Sequence, residues 1–125
     1  MPKLPEVISR YITAYNNLDV KGMLDCLTDD VEFQNISSGK MDAHTTSKRD
    51  FENLANMGVT AFSSRKQSIL NTISVSNTTL VQIDYQAVVA ADLPNGWKAG
   101  QELKFAGASA FEITDGKISK VIDQS

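Results

Sequence analysis

Through the second half of the chain, apolar side chains recur at every second position. Val81, Ile83, Tyr85, Ala87 and Val89 follow one another at period two, and Leu103, Phe105, Gly107, Ser109, Phe111 and Ile113 do the same. Successive side chains of a strand point to opposite faces, so this spacing commits half of the chain to a sheet with one buried face. Phe62 to Val75 and Leu80 to Ala91, separated by a turn at Asn77, form a long hairpin. Leu93-Pro94-Asn95-Gly96-Trp97 is a loop, and Asp115-Gly116 turns the next strand into a final one, Lys117 to Asp123.

The first half reads differently. Val7, Ile8, Tyr11, Ile12 and Tyr15 have the spacing of one helix face, with Pro5 suited to the first turn. Asp19 can cap a second helix whose apolar face is Val20, Met23, Leu24 and Leu27. Val31, Phe33 and Asn35 share one face of a short strand. Ile36 to Asp42 reads as a loop, and Thr45, Thr46 and Ser47 offer caps for a third helix through about Met57, with Phe51, Leu54 and Ala55 as its buried side. The order helix, helix, strand, helix, then four strands predicts an α+β fold in which three helices pack in a curved antiparallel sheet. Such a sheet leaves a cone whose open end is a pocket.

At 125 residues the chain is expected to form one domain, residues 1–125, around one core. With 12 Lys and Arg against 15 Asp and Glu it has a net charge of -3 and no basic stripe, so nucleic acid is not an expected partner. The N-terminal MPKLPEVISRY is too polar for a secretory leader and no stretch suits a membrane span, so a soluble cytoplasmic protein is expected. Cys26 is the sole cysteine and reads as a small core residue. His44, the sole histidine, has no second ligand at useful spacing, and nucleotide, flavin, zinc and serine-hydrolase motifs are missing. Neither metal nor cofactor is expected.

Three stretches, RYITAYNNLDVKGMLDCLTDDVEF, ADLPNGWKAGQELKFAGASAFE and FEITDGKISKVIDQS, together with the element order, resemble the nuclear transport factor 2 superfamily. That superfamily includes ketosteroid isomerase and the SnoaL-type polyketide cyclases. The resemblance implies its cone fold, and a homodimer formed through the outer face of the sheet. Activity follows less directly, because this fold hosts enzymes, binders and interaction domains.

The isomerase uses an aspartate base, with a tyrosine and a protonated aspartic acid to hold the enolate oxygen. Its resemblance to this chain places Tyr11 at the tyrosine, Ser109 at the second acid and Asn35 where the base belongs. An amide accepts no proton at neutral pH, so that mechanism lacks its base. The resemblance to SnoaL-type cyclases implies instead a general acid/base at Asp123, after the Asp115-Gly116-Lys117-Ile118 turn.

Whether Asp123 faces the pocket depends on that turn. A two-residue hairpin pairs Ala108 with Asp123 and sends the carboxylate away from the face of Ser109. A turn bulged at Gly116 pairs Gly107 with Asp123 and keeps the two on one face. The bulged turn is favoured because it puts Val121, rather than Lys120, on the face of Phe111.

The candidate site is therefore Asp123 as acid/base, with His44 as a weaker acid/base at the cone's mouth. Tyr11, Tyr15, Phe33, Asn35, Trp97, Phe105 and Ser109 would line the pocket. The expected occupant is a small apolar or weakly polar molecule, and the alternative role is non-catalytic binding or protein interaction.

Overall fold

The computed structural model describes residues 4–125, so the first three residues of the N-terminal stretch lie outside it. Helix α1 (Glu6–Asn16) follows Pro5 and buries Val7, Ile8, Tyr11, Ile12 and Ala14 on one side. Leu18 takes a left-handed turn, and the Asp19 carboxylate accepts the Gly22 N–H at 3.0 Å to cap α2 (Val20–Leu24). The second helix is shorter than its apolar pattern suggests. Leu27, expected on its face, instead opens β1 (Leu27–Ser37) and is fully buried there.

The expected loop from Ile36 to Asp42 is a hairpin. Ser38 and Gly39, both at positive φ, turn β1 into β2 (Lys40–Thr45). Ser47 then caps α3 (Lys48–Ala61) by accepting the Asp50 N–H at 3.1 Å, and the helix runs four residues past Met57. Strands β3 (Phe62–Val75), β4 (Thr78–Val89), β5 (Glu102–Thr114) and β6 (Lys117–Gln124) complete the chain.

The six strands form one sheet in the order β2-β1-β6-β5-β4-β3. It is mixed rather than wholly antiparallel, because β1 runs parallel to β6. This follows from the topology: the last strand closes the gap beside the first one, and the chain arrives there travelling in the same direction. The helices cover the concave face, where Ile8 and Tyr11 of α1 meet Leu27, Val31, Val81, Phe111, Ile118 and Val121. Among the described residues no helix is long and apolar enough to cross a membrane.

The register of β6 has an unexpected origin. The turn is a two-residue one, with Asp115 and Gly116 both at positive φ and Thr114 paired with Lys117. The extra residue is Ser119, inside β6, where the pairing passes from Ile113–Ile118 to Glu112–Lys120. Asp123 consequently pairs with Ser109, not with Gly107, and Val121 with Phe111. The expected face is kept, although the bulge that sets it lies three residues beyond the turn.

Candidate functional site

Four neighbouring strands each place one polar residue on the concave face, near its open end. Ser109 of β5 pairs with Asp123 of β6, and Asp123 pairs in turn with Asn35 of β1. The fourth, Asp42, comes from β2. The β1–β2 register breaks there: Asn35 pairs with Ala43 and Ile36 with Met41, leaving Asp42 as the extra residue. A bulge re-aims a side chain, and this one brings the Asp42 carboxylate to 2.8 Å from the Asn35 amide nitrogen, which donates to it. The row thus reads hydroxyl, carboxyl, amide, carboxylate.

Asp123 is the chemically distinctive member. Its Oδ1 accepts the Ser109 hydroxyl at 2.5 Å, and Ser109 is itself buried. Burial pushes the Asp123 carboxyl up to about 6, against the Ser109 hydrogen bond that favours the charged form. A group with that value is populated in both protonation states near neutrality, as a proton-transfer group must be.

The row borders a cavity of about 570 Å³. Tyr15 of α1 and Tyr85 of β4 form part of the wall, their hydroxyls 2.9 Å apart. Burial pushes the pKa of both phenols above the ordinary tyrosine value, so they are neutral donors and acceptors. Tyr85 stacks on Phe105 at 4.7 Å between centroids, and Phe62 meets Trp97 at 6.2 Å, so the cavity has two aromatic surfaces. Behind Tyr15, and not in the wall, the buried Arg65 guanidinium lies 3.6 Å from the ring centroid and donates from Nε to the Tyr15 carbonyl at 2.8 Å.

Of the residues singled out in the sequence, Tyr15, Asn35, Trp97, Phe105, Ser109 and Asp123 border this cavity. Three do not. Tyr11 is buried beneath it, edge-on to Phe111 at 5.9 Å, because its helix packs that face directly on the sheet. Phe33 is likewise a core residue, edge-on to Phe51 at 5.2 Å. His44 is not at the cone's mouth. As the partner of Gln34 in the β1–β2 hairpin it points to the outer face, and its Nε2 is 3.0 Å from Glu32 Oε2.

Sequence reasoning missed Asp42, Gln67 and Tyr85 as wall residues. Tyr85 carried a usable signal, being in phase with Val81 and Ile83; Asp42 carried none, since a bulge leaves no mark in a polar edge strand. Among the described residues, no three His, Cys, Asp or Glu side chains are grouped as metal ligands would be.

A family model described as a SnoaL-like domain matches residues 8–121. Among curated proteins none matches significantly. Among solved structures, a proposed polyketide cyclase from Xanthomonas campestris pv. campestris superposes with a TM-score of 0.80 at 17% identity, over 95% of this chain and 87% of that one. A hypothetical protein with a ketosteroid isomerase-like fold from Catenulispora acidiphila, in complex with trimethylamine, has a TM-score of 0.78 at 10% identity, over 97% and 85%. An LEH-like epoxide hydrolase from M. tuberculosis has a TM-score of 0.76 at 16% identity, over 96% and 80%. At these identities the likeness is one of fold.

Proposed function

Because the chain belongs to the family of SnoaL-like domains, we propose that its cavity holds a small, largely apolar molecule and that Asp123 exchanges a proton with it. The observation that carries this is the half-buried Asp123 carboxyl at the cavity wall, oriented by Ser109 and poised near neutrality. In the ionised form it takes a proton from an acidic C–H or from a water attacking the ligand. In the protonated form it returns that proton to an oxygen or carbon of the product. The Tyr15–Tyr85 pair supports this role: one hydroxyl donates to the other, which leaves one proton free to donate to a ligand oxygen. Isomerase, cyclase and hydrolase chemistry all use such a set.

Exchange of α-protons of cyclic ketones in deuterated water, followed by NMR, tests the proposal. Wild-type protein should accelerate exchange, with a rate that rises through about pH 6 as Asp123 ionises. Asp123→Asn should lower it about 100-fold or more while ketone binding persists. An unchanged rate in the variant removes Asp123 from catalysis. Ketone binding without exchange would favour the second reading, a non-catalytic binding domain, which gains support from Asn35 standing where an isomerase would have its base.

On the outer face, Ile73, Leu80, Ala110 and Ile122 form a cross-strand row over four strands. Ile73 is 60% and Leu80 48% exposed, which supports two copies of the chain meeting there. Sedimentation should then give a dimer for the wild type and a monomer for Leu80→Asp. A wild-type monomer at micromolar concentration would refute this pairing.

A further inference from the structure

The cavity wall is unbalanced in charge. Asp42 and Asp123 both border it, and among the described residues no Lys, Arg or His lines it. The nearest buried cation, Arg65, is held behind Tyr15 and engages a backbone carbonyl and a ring face, so it does not offset the carboxylates at the opening. A third acceptor belongs to Gln67, a lining residue more than nine-tenths buried whose Oε1 has no hydrogen-bond partner. The remaining surface includes the Tyr85–Phe105 stack and the Phe62–Trp97 pair. Carboxylates, an orphan amide carbonyl and π faces share one preference, for a positively charged donor on an apolar body.

The backbone supports the same conclusion. A bulge in β2 turns Asp42 inward, and the Asn35 amide then fixes its carboxylate at 2.8 Å. An aspartate at position 35 would instead repel both Asp42 and its β6 neighbour Asp123. The amide therefore has a positive role: it is the neutral spacer that lets two carboxylates share one wall.

We propose that the cavity is selective for amines, binding the ammonium group of a small hydrophobic amine at Asp42 with its apolar body against Tyr85 and Phe105. This rests on the cavity being a small-molecule site, and it narrows the class of molecule that site accepts. Charge recognition falls to Asp42, at the exposed rim, and leaves Asp123 free for the reacting end. The volume of about 570 Å³ accommodates an amine of one ring and a short chain.

Calorimetric titration with 2-phenylethylamine and with its neutral counterpart 2-phenylethanol, at pH 7.5 and low salt, tests the proposal. The amine should bind at least about tenfold more tightly than the alcohol, the margin expected of one charge-assisted hydrogen bond. Asp42→Asn should remove that preference by weakening the amine about tenfold and leaving the alcohol unchanged. Equal affinities in the wild type, or a preference that survives in the variant, overturn the proposal. If the alcohol or a cyclic ketone binds and the amine does not, amine selectivity falls while the small-molecule cavity stands. If no neutral or cationic probe binds, both fall.

Discussion

Asp123→Asn is expected to make the protein more stable than the wild type above pH 6, and equal to it near pH 4. In the folded protein the Asp123 carboxyl is raised to about 6 from an ordinary 3.8, so between these values the native state holds the proton more tightly than the unfolded chain does. Stability therefore falls as pH rises through this window and levels off above it. A shift of that size corresponds to about 3 kcal/mol for a fully buried group. Asp123 is half-buried and faces an open cavity, so water entering it reduces the expected loss to about 1–2 kcal/mol.

Asparagine keeps an oxygen to accept the Ser109 hydroxyl and does not titrate, which makes the difference between the two urea-unfolding curves at pH 4, 6 and 8 the useful quantity. It isolates Asp123 from every other ionisable group. A difference that stays constant with pH would show that the carboxyl is not raised. A loss of both stability and turnover is the signature of a merely structural residue, whereas a gain in stability with a loss of turnover is that of a functional one.

Phe111→Ala should cost about 3–5 kcal/mol, the range for removing a buried aromatic ring and leaving a cavity. Phe111 is 1% exposed, sits between Ser109 and Ile113 on the concave face of β5, and packs edge-on to Tyr11 of α1. It joins the sheet to the first helix, and β5 also carries Ser109, so the site should loosen with the core. In a domain whose total stability is on the order of 5–15 kcal/mol, the thermal midpoint should fall by roughly 10 °C or more. Calorimetry on the two proteins measures this directly. A fall of only a few degrees would mean that Tyr11 and Val121 collapse into the space, and that the helix and sheet are less closely coupled than their packing implies.

The sequence alone determined which faces are buried. Tyr11 and Ile12 in α1, alternate residues from Val81 to Val89 in β4 and Ser109 and Phe111 in β5 lie at the period of their element and are buried, because water expels apolar side chains and the period decides which face they share. The caps at Asp19 and Ser47 were legible for the same local reason, each needing only its own side chain and an N–H three residues on. Strand β2 was not legible. Lys40 to Thr45 is an edge strand with a single paired neighbour and no buried alternating face, so hydrogen bonds to β1 define it and hydropathy does not.

His44 and Asp42 were misjudged with it, one sent to the outer face by strand geometry and the other turned inward by a bulge. The bulge at Ser119, the parallel pairing of β1 with β6, and the burial of Arg65 behind Tyr15 were equally hidden. Each depends on which strand arrives beside which, at what register, from residues far apart in the chain. Local periodicity could decide that Asp123 belonged to a strand; only the assembled sheet decided that its carboxyl faces Ser109, beside Asn35, at the wall of a cavity.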